Sequence, residues 1–198
     1  MNKTVLSVLG VILAIVAILA LGFGGIYNGL VKSEEEVSEA WAQVENVYQR
    51  RLDLIPNLVE TVKGYAAHEK ETLQAVVEAR SRITQLNVSP KLVEDPQALA
   101  RFEEAQQGLT STLSRLLVVI EQYPNLKADQ NFLALQGQLE GTENRIAVER
   151  RRFNEAARAF NTKIRIFPNR LVASLGGFRR KAYFAADEAA RVAPSIKF

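Results

Sequence analysis

The side chains best placed to do chemistry lie between Gln49 and Glu71, in the stretch QRRLDLIPNLVETVKGYAAHEKE. It holds Arg50, Arg51, Asp53, Glu60, Glu69 and the chain's single histidine, His68. His68-Glu69 resembles the start of the zinc motif H-E-x-x-H, whose two histidines share one helix face. Here the second position is Thr72, and the chain has no other histidine and no cysteine. One imidazole does not make a zinc site, so no metal is expected and His68 reads as a surface or packing residue. Nucleophilic catalysis needs a nucleophile held beside a base. Cysteine is absent, and there is no G-x-S-x-G elbow. Asp53, Glu60 and Glu69 could serve as hydrolase carboxylates, but they stand among charged neighbours along a helix, as on any solvated face. Gly176-Gly177 lacks the strand and spacing of a phosphate-binding loop. No catalytic residue and no cofactor are expected, and the chain does not read as an enzyme.

The elements that carry these residues begin with an apolar segment. No charge occurs between Lys3 and Lys32, and Val5 to Leu21 is almost wholly apolar. A bilayer core takes about 20 apolar residues of helix. The alternative is a cleaved signal peptide, with Ala20-Leu21-Gly22 as a small-x-small site. The apolar run is long for a signal sequence, so a retained transmembrane anchor over residues 1–28 is expected, with Tyr27 at the interface. Lys3 lies before the span and Lys32 after it, followed by an acidic cluster (Glu34, Glu35, Glu36). The positive-inside rule counts mainly Lys and Arg, and its slight bias here favours the helical domain outside the cytoplasm.

Beyond the anchor, apolar residues recur at alternating steps of three and four: Val37, Trp41, Val44, Tyr48, then Ile55, Leu58 and Val62. Similar seams run from Leu99 to Tyr123 and from Phe132 to Phe167. Such stripes bury one face of a helix against others. Proline punctuates them at Asp95-Pro96, Tyr123-Pro124 and Phe167-Pro168. The expected fold is all-α: the transmembrane helix, then an antiparallel bundle of three long helices near Gly29–Leu86, Pro96–Tyr123 and Leu126–Phe167. A short helix, Pro168–Leu175, follows. The bundle domain then covers 29–175 and an irregular arm 176–198. Pro56 falls in phase with its seam, which favours a kinked, continuing helix over a new one. Asp53 and Asn57 flank that joint. If Pro56 began a new helix, the bundle would have four long members.

Arg51, Glu69 and Glu149 occupy seam positions. A buried charge is costly unless paired. Either the stripe drifts and these groups reach water, or Arg51 pairs across the bundle, with Glu149 as one candidate, and fixes helix register. The run Phe178-Arg179-Arg180-Lys181-Ala182-Tyr183-Phe184 could meet lipid headgroups, but its aromatics need burial, which favours a packed arm or a protein interface. From Lys163 onward there are eight basic residues against Asp187 and Glu188. The rest of the domain has no basic face, so no nucleic acid is expected.

Tyr27-Asn28-Gly29-Leu30-Val31, Ala40-Trp41, Gln49-Arg50-Arg51, Asp53-Leu54-Ile55-Pro56-Asn57-Leu58-Val59, Lys63-Gly64-Tyr65 and His68-Glu69 together resemble the LemA family of bacterial membrane proteins. The likeness continues through Tyr123-Pro124-Asn125-Leu126-Lys127-Ala128, Thr142-Glu143, Arg150-Arg151, Phe153-Asn154, Phe160-Asn161 and Tyr183-Phe184. It covers essentially the entire chain. The resemblance implies a helical bundle on a single-pass anchor in the bacterial inner membrane, and brings no catalytic residue. Relatives in that family include a protein of magnetosome membrane formation, and members are often encoded beside a membrane zinc peptidase of the HtpX type. The expected function is a scaffold whose bundle forms a homo-oligomer at the lipid bilayer and organises or remodels it. The alternative is an adaptor for a membrane protease or another envelope machine.

Overall fold

The computed structural model of the protein describes residues 3–86 and 89–185, with side chains from Ser7 onward. The part of the expected arm beyond residue 185 lies outside the described residues. Every regular element described is helical: α1 Lys3–Tyr65, α2 Lys70–Thr84, α3 Pro96–Ile120, the single turn α4 Pro124–Lys127, α5 Gln130–Lys163 and α6 Asn169–Gly176, with a 3-10 turn at Pro90–Glu94. The all-α bundle expected from sequence is the fold observed.

Helix α1 is 63 residues long and runs without interruption from the apolar segment into the bundle, about 95 Å at 1.5 Å per residue. Its first part is long and apolar enough to cross a membrane, and none of the described apolar window is buried. Neither the glycines at 22, 24, 25 and 29 nor Pro56 ends it. The break comes instead at Ala66–Glu69, where the chain turns back into α2. The rod expected over Gly29–Leu86 is therefore two helices, and the bundle has four principal members. Pro56 can sit inside a helix if its missing donor is made good. No such allowance exists at Tyr65–Glu69, where the amide of Glu69 bonds the Ala66 carbonyl and reverses the chain.

The remaining boundaries follow local chemistry. The Asp95 carboxylate caps α3 by accepting from the amides of Gln97 at 2.8 Å and Ala98 at 3.3 Å, with Pro96 in the first turn. Asp129 caps α5 through the Phe132 amide at 2.9 Å. Gly177, with φ +74°, takes the left-handed conformation that ends α6 and that favours glycine.

Helix α1 packs along α5, and α2 packs along α3. The interior divides into two clusters. The one nearer the apolar segment is aromatic: Trp41 meets Phe102, Phe153 and Phe184 with ring centroids 6.0, 5.5 and 5.9 Å away. The distal one is aliphatic, built from Ile55, Leu58, Val62, Val76, Leu109 and Leu116 among others, with Phe132. Between them lies a polar layer.

Candidate functional site

That layer is centred on Arg51. Its seam position on α1 points the side chain inward, and it is only 1 % exposed. The guanidinium donates to the Glu143 carboxylate of α5, to Thr110 Oγ1 at 3.0 Å and to the Gln106 side-chain oxygen of α3. Its carbon also lies 5.3 Å from the centre of the Tyr48 ring. Burial pushes the Tyr48 hydroxyl's pKa up, with Arg150 and Arg51 acting in the opposite sense. One cation thus ties α1, α3 and α5 at one level. The partner weighed from sequence, Glu149, is placed differently: it accepts from Arg152 at 2.8 Å on its own helix. Heptad spacing identified the position of Arg51 but not its partner, because Glu143 sits half-exposed at the edge of α5's stripe.

A cleft of about 750 Å³ opens between α3 and α5 above this layer. Arg150, Arg151 and Arg158 line it opposite Glu103, with Arg51 and Gln106 at its base. Gln106 Nε2 and Arg51 Nε are buried there without a hydrogen-bond partner among the described residues. Among the described residues no group of three or more His, Cys, Asp or Glu is placed to hold a metal ion.

The joint at Pro56 has its own arrangement. Proline has no N–H, so the Leu52 carbonyl one turn earlier loses its helical donor. Arg80 of α2 supplies a replacement, its Nε donating to that carbonyl at 3.0 Å. Asp53 is exposed and accepts from Gln49 at 2.7 Å, while Asn57 offers only its backbone carbonyl, to Thr61. Neither side chain reaches across the joint. Arg80 was missed in the sequence because nothing local marks it; only the antiparallel return of α2 brings it opposite Leu52. His68 is exposed in the α1–α2 turn. Glu69 starts α2 and accepts from the Tyr123 hydroxyl at 2.8 Å, and Tyr65 donates to Asp129 at 2.9 Å. These bonds raise the pKa of both tyrosines. The Asp129 carboxyl is held low, first by the Phe132 amide and then by Tyr65.

The arm after α6 is extended and clasped. Asn161 donates to the Lys181 carbonyl and accepts from the Lys181 amide, both at 2.8 Å. Two turns earlier on α5, Asn154 does the same with Phe184, at 3.1 and 2.9 Å. The spacing of seven on a helix meets the spacing of three on an extended chain, so one helix face reads the arm's backbone. Phe178 packs edge-on to Tyr27, and Phe184 is buried against Trp41 and Phe153. Arg179 and Arg180 are exposed, whereas Lys181 is buried and bonds Glu34 and Glu94, each at 2.8 Å. Burial opposes its charge, but the bonds to Glu34 and then Glu94 prevail and raise its pKa. Tyr183 is half-exposed and accepts from Asn161. Lys181 was hidden in the sequence by its basic neighbours.

A model of the LemA family matches residues 40–198, which include the Arg51 layer, the cleft and the arm. The chain belongs to the LemA family. It is similar to the magnetosome protein MamQ of Magnetospirillum gryphiswaldense, 29% identical over 174 residues, covering 80% of this chain and 64% of that protein. Protein LemA of Metamycoplasma hominis is 28% identical over 165 residues, covering 83% and 71%. Magnetosome protein MamQ 2 of Paramagnetospirillum magneticum is 29% identical over 196 residues, covering 91% and 70%. The chain thus spans somewhat under two thirds of the first of these relatives. The LemA region starts inside α1, beyond the apolar segment.

Proposed function

We propose that this LemA-family protein is a membrane-anchored scaffold whose bundle self-associates at the bacterial inner membrane and organises or remodels it, with the helical domain outside the cytoplasm. The observation that carries this reading is the unbroken α1, which is at once the candidate span and a principal bundle helix. A bundle built on the spanning helix itself is coupled rigidly to that helix and follows its orientation in the bilayer, as a structural element requires. Two relatives named as magnetosome proteins agree with a structural role. Light scattering on the detergent-extracted protein tests it. Particles of several copies are expected, and a strict monomer at micromolar concentration counts against self-assembly.

The open cleft between α3 and α5 favours a second reading, an adaptor for a membrane protease or another envelope machine. Its mixed charges and unpartnered Gln106 amide suit a polar protein segment. Crosslinked pull-down separates the two readings: an adaptor yields one stable heteromeric partner and little self-assembly.

A further inference from the structure

We propose that the α5–α6 turn and helix α6 form a second membrane contact, lying in the headgroup layer of a bilayer that contains anionic lipid. This rests on the reading that α1 crosses the membrane. Thr4 to Phe23 is a stretch of about 20 residues, or about 30 Å of helix, which matches the hydrocarbon thickness. Along α1 the side chains from Ser7 to Phe23 are exposed, and shielding begins at Gly24 and Ile26. The boundary of the bilayer therefore falls near Tyr27.

Helix α6 is fastened at that level. Gly176 approaches Tyr27 and Phe178 so closely that a Cβ there would come within 3.2 Å of one ring and 2.7 Å of the other. One turn up α1, Lys163 at the end of α5 donates to the Gly29 carbonyl at 2.6 Å and to Ser33 at 2.8 Å. Val172 and Ala173 form the inner face of α6 and are buried in the aromatic cluster.

The outer face is also apolar, and it is bare. Ile166 is 51% exposed, Phe167 82%, Leu171 60% and Leu175 78%. Water is a poor solvent for four such neighbours beside a membrane span, whereas the boundary of headgroups and acyl chains accommodates them. Arg165, Arg170, Arg179 and Arg180 flank the patch, all exposed and, among the described residues, without a carboxylate partner. Guanidinium groups around an apolar face match anionic phosphates above acyl chains. Continuity with the span and this charge pattern both select lipid as the occupant.

The test uses the full chain in vesicles of phosphatidylcholine and phosphatidylglycerol at about 3:1. The protein has no cysteine, so single substitutions Leu171→Cys, Leu175→Cys, Val16→Cys and Leu133→Cys each carry one fluorophore. Nitroxide on shallow lipid positions (for the labels at 171, 175 and 133), nitroxide deep on the acyl chain (for the label at 16) and aqueous iodide serve as quenchers, and Trp41 emission verifies the fold. Labels at 171 and 175 are expected to be quenched by lipid nitroxide at least about twofold more than at 133, and shielded from iodide. Replacing Arg165, Arg170 and Arg179 together by Gln, or omitting phosphatidylglycerol, is expected to reduce that difference while Val16→Cys stays unchanged. Labels at 171 and 175 that behave like 133 overturn the proposal. Shielding from iodide without nitroxide quenching also overturns it, because another copy then covers the patch. Quenching that is indifferent to phosphatidylglycerol and to the arginines overturns the anionic part. If Val16→Cys is not quenched either, the anchor reading falls as well; if it is, only the second contact falls.

Discussion

The two halves of the bundle solve the same packing problem with different materials. The half nearer the apolar segment is aromatic, and it is closed by a segment from late in the chain: Phe184 completes the shell around Trp41, and Lys181 bridges Glu34 and Glu94. The distal half is aliphatic and is largely an α2–α3 hairpin leaning on α1, tied at its tip by Tyr65–Asp129 and Tyr123–Glu69. The first depends on contacts between residues 87 and 147 positions apart, the second mostly on nearer neighbours. Long-range closure costs more loop entropy to form, but once formed it involves several elements at once. From this comparison we expect the half nearer the apolar segment to be the harder to open and the distal hairpin to open locally at lower cost.

The largest expected effect is at the clasp. Lys181→Ala leaves Glu34 and Glu94 facing each other without a cation. Both keep some contact with water, so a loss of about 2–3 kcal/mol is expected, or a Tm about 5–10 °C lower by circular dichroism. Trp41 emission should shift to the red as Phe184 loosens. A shift in distal hydrogen exchange before any proximal change would break the contrast between the halves.

Arg51→Met comes next. It removes the cation between the two cores and strands acceptors on Gln106 and Thr110, for about 1–2 kcal/mol. The more telling readout is register: disulfide trapping between single cysteines placed on α1 and α5 should become less selective. Unchanged selectivity and unchanged assembly would sink the view that Arg51 sets the helix register.

The joint gives a smaller effect. Arg80→Ala orphans the Leu52 carbonyl and should cost about 1 kcal/mol. In a Pro56→Ala background the restored amide can bond that carbonyl, so the same Arg80→Ala change should cost clearly less; additive losses would dissociate Arg80 from the joint.

The smallest effect concerns the distal ties, of which Tyr65–Asp129 is exposed and Tyr123–Glu69 partly buried. The folded-state pKa values of Tyr65 and Tyr123 are raised. Their contribution is therefore complete below the ordinary tyrosine value of about 10 and is lost as pH rises through the folded values. For Asp129 the folded value is lowered, so its contribution is lost as pH falls below the ordinary carboxylate range. Ultraviolet titration of tyrosinate should show Tyr65→Phe removing one of the latest-ionising groups. An unchanged titration curve would contradict the Tyr65–Asp129 tie.

How much of this was legible in the sequence differed by region. The stripes gave the helices of the bundle, and Asp95-Pro96 gave the start of α3, because period and capping are local signals. The turn at Ala66–Glu69 carries no proline and no strong break beyond Gly64, so the seam read straight through it. Pro56, a much stronger local signal, left the helix intact because Arg80 repairs its defect from another helix. Arg51 was visible as a misfit in a stripe. Its partner Glu143, the paired asparagines at 154 and 161, and Lys181 were not, since each depends on which elements meet in space.

The continuity of α1 has a mechanical consequence. From Gly24 to Tyr65 it rises about 60 Å, so on the proposed anchor reading it would act as a lever arm pivoting at the membrane surface. Spanning helices adopt tilts anywhere from about 0 to 40°, and each 10° at the pivot moves the far tip by about 10 Å. Neighbouring molecules held upright or splayed would set their tips close together or far apart, which converts bilayer thickness and local curvature into spacing between bundles.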